Sequence, residues 1–195
     1  MPWWLDNNLR MIQNNLRDID AGMDVQKWFE EIRASHCNCV MVGAGGISSF
    51  FPTKLPFQTP SPYLKGDLLG DIVRICHENG VRVIARFDFS KTHERLDEHP
   101  EWYYVSESGE HLHYNDTAAT CVCGEYQQKK SIEILREVIE NYPVDGVFFN
   151  MFGFQTKDYS NVEHGICNCA SCRAAYKAFS GRELPRGDSW KTDET

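Results

Sequence analysis

The stretch DLLGDIVRICHENGVRVIARFDF, Asp67–Phe89, decides the architecture. Its first part, Asp67–Gly80, has the apolar spacing of an amphipathic helix that a glycine stops. The second, Val81–Phe89, is an apolar, β-branched run, the pattern of a strand buried on both faces. A helix followed at once by such a strand is half of a parallel β/α repeat, so the same alternation should recur on either side.

It does. Arg10–Leu16 (RMIQNNL) reads as a first strand, and Asp24 caps a helix with Val25, Trp28, Phe29 and Ile32 at helical spacing. Cys37–Gly46 (CNCVMVGAGG) is a second buried strand ended by glycines. After Val81–Phe89 comes a long loop, Ser90–Gly124, then a helix over Glu125–Tyr142 with Ile132, Leu135, Val138 and Ile139 on one face. Pro143 ends that helix, Val144–Phe154 is a fourth apolar strand, and Cys172–Phe179 begins a last helix. Four such units predict an α/β chain with a parallel sheet, either a small open sheet or, since a full barrel needs eight units and ~250 residues, a partial (β/α)8 TIM barrel; the polar tail favours the partial barrel. Residues 1–185 form this N-terminal half, and 186–195 is a polar tail, disordered or truncated.

Composition narrows the function. Among 195 residues the formal charge is −8, which argues against a nucleic-acid partner. No apolar run approaches the ~20 residues of a membrane span, and the N-terminus lacks a secretory pattern, so we expect a cytoplasmic chain. No G-x-S-x-G elbow and no P-loop is present. The run Gly43–Gly46 is followed by some twenty residues of Pro-rich loop rather than a helix, so it marks a turn or close packing instead of a dinucleotide site.

In parallel α/β folds, ligands sit at the carboxyl ends of the strands. Those ends carry Arg17 and Asp20, then Arg86, Asp88, His93 and Glu94, then Asn150 and Met151. Arg17 and Asp20 either line a pocket or form a surface ion pair. Arg86 and Asp88 lie two apart on a strand and point the same way, so burial would demand partners or a polar pocket. The loop aromatics Trp102, Tyr103, Tyr104 and Tyr114, near His111 and His113, either grip a sugar or pin the loop.

Eight cysteines in a chain without a secretion signal point to metal or redox chemistry. Cys167-x-Cys169-x-x-Cys172 places three thiols on one turn, with Cys121, Cys123 or His164 available as a fourth ligand for tetrahedral zinc. Unliganded thiols and a redox pair at Cys169 and Cys172 are the competing readings.

A cysteine ahead of the third helix, an apolar strand ending in Asn, and C-x-C-x-x-C before a helix together resemble the glycoside hydrolase family 42 β-galactosidases. The stretches NNLRDIDAGMDV, VGAGGISSFFPTKLPF, HPEWYYVSESGE and YPVDGVFFNMFGFQT resemble, more closely, a group of bacterial hypothetical glycosyl hydrolases over residues 3–185. The resemblance implies a structural zinc on Cys121, Cys167, Cys169 and Cys172, and a carbohydrate substrate. The family 42 pattern ends its fourth strand in Asn-Glu, with Glu as acid/base; here the pair is Asn150-Met151, and a thioether exchanges no proton. Fucosidase-like barrels place a nucleophilic Asp near the same strand end, where Asn150 is an amide.

The expectation is therefore part of a glycoside hydrolase barrel, with Arg17, Asp20, Arg86, Asp88, His93, Trp102 and Asn150 contacting carbohydrate. Asp88 and Glu94 are the candidate carboxylates, but no catalytic pair can be assigned. A non-catalytic carbohydrate-binding or assembly module is the alternative, and a redox α/β protein a third. Open strand edges predict a homo-oligomer or pairing with the missing C-terminal barrel half.

Overall fold

The computed structural model describes residues 2–5, 8–93, 95–151 and 153–193. In chain order the elements begin with β1 (Met11–Asn14), α1 (Val25–Ala34), β2 (Cys39–Gly46), α2 (Leu68–Glu78) and β3 (Arg82–Asp88). Then follow β4 (Lys91–His93), β5 (His113–Tyr114), β6 (Thr117–Ala119), α3 (Ser131–Asn141), β7 (Gly146–Asn150) and α4 (Ala170–Ser180). The chain divides into two compact units, Met1–Phe87 with Ile134–Asn150 and Asp88–Glu133 with Met151–Thr195.

The first unit carries the sheet. Its four parallel strands run in the order β1-β2-β3-β7, with Met11 opposite Cys39 and Asn14 opposite Val42. The strands alternate with helices, and the chain is a partial (β/α)8 barrel, as the sequence predicts. All eight residues of β2 are buried, which is why its run carries nothing polar. A Cβ on Gly45 would stand 3.1 Å from Ile134 Cγ2, so that glycine lets α3 close onto the sheet. The glycines of β2 thus serve packing.

Helix starts are fixed by carboxylates. Asp24 Oδ1 accepts from the amides of Gln26 (3.0 Å) and Lys27 (3.1 Å), and Asp67 Oδ1 from that of Gly70 (2.9 Å). The other Asp67 oxygen accepts the Tyr142 hydroxyl at 2.9 Å. Behind β3 and β7, Asp145 accepts from Val83 N (2.8 Å) and Arg82 Nη1 (2.9 Å) and contacts His77 Nε2 at 2.8 Å.

One predicted face is wrong. Ile132 and Ile139, expected inward, are 49% and 56% exposed, while Ile134 and Val138 are fully buried. Helix α3 carries apolar residues around much of its circumference, and the stripe that is covered is the one through Ile134 and Val138, four residues apart, which leaves Ile132 and Ile139 off it. Just upstream, Tyr126–Lys130 is a π-helical turn. At the sheet margin, Val147, Phe148 and Phe149 of β7 are 41%, 38% and 42% exposed.

The second unit holds what the sequence reading leaves as a long loop. Residues after β3 fold into a small antiparallel sheet, β4-β6-β5, with Lys91 opposite Ala119 and His113 opposite Ala118. Trp102, Tyr103 and Tyr126 fill its core, and the His99 ring stacks on Trp102 at 4.0 Å. The tail, expected to be disordered or truncated, carries a 3-10 turn at Gly187–Thr192. There Gly187 N donates to Glu107 Oε2 at 2.7 Å, and Tyr176 donates to Asp193 Oδ2 at 2.7 Å. Among the described residues no helix is long and apolar enough to cross a membrane.

Candidate functional site

The second unit contains two polar constellations. The first is a thiol cluster. The Sγ atoms of Cys121, Cys167, Cys169 and Cys172 all lie within 4.8 Å of one another, and all four residues are buried. Cys121 stands 3.2 Å from Cys172 and 3.5 Å from Cys169, far beyond the ~2.05 Å of a disulfide. Four thiolates about 2.3 Å from a shared ion would stand about 3.8 Å apart, so the spacing suits a tetrahedral metal.

The backbone prepares these sulfurs. Cys169 caps α4, its Sγ accepting the Cys172 amide at 3.4 Å, and Cys167 Sγ accepts the Val105 amide at 3.5 Å. Asn168 N donates to Val105 O at 2.7 Å, and the Tyr104 hydroxyl reaches the carbonyls of His164 (2.8 Å) and Gly165 (3.0 Å). On the other side Gly124 N donates to Cys121 O at 2.9 Å. A Cβ on Gly124 would press to 3.0 Å on Glu101 O, which explains the glycine. Hydrogen bonding within the cluster lowers the Cys167 and Cys169 thiols and raises those of Cys121 and Cys172. Four sulfurs in contact cannot all ionise without a cation between them. Cys123, the alternative fourth ligand, packs half-buried against the cluster and is not one of the four.

The second constellation is a cavity of about 180 Å³ lined by residues of this unit. Lys91, Tyr114, Met151, Gln155, Asp158 and Tyr159 line it. The rings of Tyr114 and Tyr159 stand 4.5 Å apart at 41°. Lys91 Nζ donates to the Tyr159 hydroxyl at 2.5 Å, and lies 4.6 Å from the Tyr159 and 5.6 Å from the Tyr114 ring centroid. Met151 has φ of 52°, in the left-handed region. Asp158 is held below the usual carboxylate range, first by His164 at 2.9 Å, then by the amides of Val162 and Ser160.

The predicted contact residues are distributed among other tasks. Asp20 accepts the Arg17 amide at 2.8 Å and pairs with its guanidinium at 3.3 Å, bracing the turn Asp18–Gly22, while the Arg17 side chain is 78% exposed. Arg86 and Asp88 share a face of β3; Asp88 is buried and accepts from Ser90 N (3.1 Å) and Ser90 Oγ (2.5 Å). His93 faces Asp116 at 3.3 Å. Trp102 is 1% exposed, because His99 and Tyr126 enclose it; it pins the loop, and Tyr114 presents a ring to the cavity instead. Asn150 is half-buried at the end of β7. Glu94 lies outside the described residues. The sequence reading passes over Lys91 and Tyr159, whose signal is a lone lysine between two buried positions and an aromatic far along the chain.

The family described as hypothetical glycosyl hydrolase 6 matches residues 24–151, well over half of the chain. The chain belongs to that family. No curated protein matches it. Among solved structures, alpha-L-fucosidase isoenzyme 2 from Paenibacillus thiaminolyticus aligns with a TM-score of 0.67 at 23% identity, over 87% of this chain and 26% of that one. The chain thus spans about a quarter of that fucosidase's length. A hypothetical protein from Ruminiclostridium thermocellum aligns with a TM-score of 0.58 at 15% identity, over 79% of this chain and 84% of that one. A maltogenic alpha-amylase from Thermotoga neapolitana follows, with a TM-score of 0.51 at 18% identity, over 75% of this chain and 39% of that one. At these identities the likeness establishes the fold.

Proposed function

We propose that the chain is the barrel portion of a glycoside hydrolase, of β-galactosidase-like kind, that binds carbohydrate beside the carboxyl ends of its strands. The observation that supports carbohydrate binding is the cavity of the second unit, where two tyrosine rings meet hydrogen-bonding groups from Lys91, Gln155 and Asp158. Apolar ring faces with a few placed polar groups are what a sugar requires. Arg86, Asp88, His93 and Asn150 are further proposed contacts, and Asp88 and Glu94 the candidate acid–base carboxylates. Cys121, Cys167, Cys169 and Cys172 would hold a structural zinc; four thiolates leave it no open position for substrate, so its contribution is to folding. Free thiols at this spacing accord with a reducing, cytoplasmic setting. The open margin at β7 favours further strands from a second copy or the remaining barrel half.

Met151 favours a second reading, a non-catalytic carbohydrate-binding module, because it stands where an acid/base glutamate would be needed. Assay of the chain against a panel of aryl glycosides, alone and with Asp88→Asn, separates the two. Turnover that falls at least about a hundredfold in Asp88→Asn supports catalysis with Asp88 as a participant. Binding of simple glycosides without turnover supports the module, and absence of both refutes the carbohydrate reading.

A further inference from the structure

Lys91 is 6% exposed, yet among the described residues no carboxylate lies within ion-pair distance of its ammonium. Removing an ammonium from water is costly, and one phenol oxygen with two ring faces returns only part of that cost. The acid in the same cavity is already committed: Asp158 is taken by His164 and two backbone amides. Lys157, also at the rim, faces Glu163 at 3.8 Å. A second unmet need belongs to the same cavity. Gln155 lines the cavity, and its buried Nε2 has no hydrogen-bond partner. Both groups are donors, one of them carries a full charge, and a buried donor left unpaired costs free energy.

A ligand that answers both must bring a monoanionic, two-oxygen acceptor, and one that packs on the exposed rings of Tyr114 and Tyr159 must bring an apolar ring face. At about 180 Å³ the space is below the ~300–1,000 Å³ of drug-sized sites and suits a single sugar ring. We propose that this cavity is a subsite for a uronic acid residue, its carboxylate received by Lys91 Nζ and Gln155 Nε2 and its ring held by Tyr114 and Tyr159. A neutral sugar would leave the ammonium uncompensated, and a dianionic phosphate would exceed the one charge available. The inference rests on the carbohydrate reading above and narrows it to acidic glycans.

Titration calorimetry of the full chain with methyl glucuronide, methyl galacturonide, their neutral methyl glycosides and acetate tests it. The uronides should bind roughly tenfold to a hundredfold tighter than their neutral counterparts, the range of a charge-assisted hydrogen bond, and this preference should shrink with added salt. Lys91→Met should bring the two classes to parity. If that buried substitution unfolds the chain, Gln155→Met, which removes only the amide, should still cut the preference several-fold. Equal binding of neutral and acidic glycosides overturns the uronate assignment while leaving the carbohydrate reading intact. Acetate binding as tightly as the uronides overturns the sugar contact at the rings, and no binding by any glycoside overturns both readings.

Discussion

At Asp145 a single carboxylate ties α2 to the beginnings of β3 and β7. Its side chain is 9% exposed and meets His77 on α2, the Arg82 guanidinium and the Val83 amide. Burial alone would raise its pKa, but the Val83 amide, His77 and Arg82 together outweigh burial and hold the carboxyl below its usual range. A folded-state pKa below the unfolded value means the carboxylate contributes stability above the unfolded value, about 4, and loses it as pH falls through the folded one. Asp145→Asn should cost about 2–4 kcal/mol at pH 7, since it removes the charge that faces the Arg82 guanidinium in a water-poor site and disturbs the bonds to His77 and the Val83 amide. Urea unfolding at pH 7 and again below pH 4 checks this: the gap between wild type and variant should close in acid, and a constant gap would refute the charge argument. Nothing local in Val144-Asp145-Gly146 announces this role, because its partners come from 62 to 68 residues away. The same distance hides the cavity: Lys91 and Tyr159 stand 68 residues apart, and only the fold brings them together. The cysteines are the opposite case, since three of them share one turn and their spacing is itself the signal.

At the scale of elements, what was legible is what repeats. Helices α1 and α2 and strands β2 and β3 have enough turns or buried positions for periodicity to declare them. The strands β4, β5 and β6 have three, two and three residues, too few to show any period, so they pass for loop. The face of α3 is misread for a different reason: Ile132, Ile134, Leu135, Val138 and Ile139 spread around the helix, so spacing alone does not say which stripe is covered. Caps offer a quantitative test of how an element is held. Asp24 caps α1 through two amides alone, whereas Asp67 caps α2 and also receives the Tyr142 hydroxyl that follows α3. Burial, then Asp67 itself, pushes that phenol's pKa up, so it stays a donor across the working range. Asp24→Ala should therefore cost about 1 kcal/mol, and Asp67→Ala about 2, because the second leaves a half-buried hydroxyl without its acceptor. Adding Tyr142→Phe should recover part of the Asp67→Ala loss. Thermal unfolding of wild type, Asp24→Ala, Asp67→Ala, Tyr142→Phe and the Asp67→Ala/Tyr142→Phe double variant measures this, and a fully additive double variant would show that the two groups are not coupled.

For the molecule as a whole, the two units should differ in what sustains them. The first has a continuous apolar interior from β2, α2 and β3, with Val40, Val42, Leu69, Ile72 and Val83 fully buried. The second is built from short strands and turns that converge on the four cysteines, with Tyr104 and Ala119 packed directly on them. Segments that cannot bury much apolar surface depend on cross-links or metals for their order. If zinc occupies the cluster as proposed, elemental analysis of protein purified without added metal should give about one zinc per chain. Chelation should then release the amides of Val105, Asn168 and Cys172 to hydrogen exchange, because each bonds within or beside the cluster. The amides of β2 should keep their protection. Cys121→Ser should lower zinc affinity by at least about tenfold and reproduce the chelator pattern without chelator, whereas Cys123→Ser should leave both unchanged, since that sulfur stands outside the set. Metal-free protein with full protection around Cys172 would refute a metal-held second unit, and loss of protection spread evenly over both units would show that the ion sustains the whole fold.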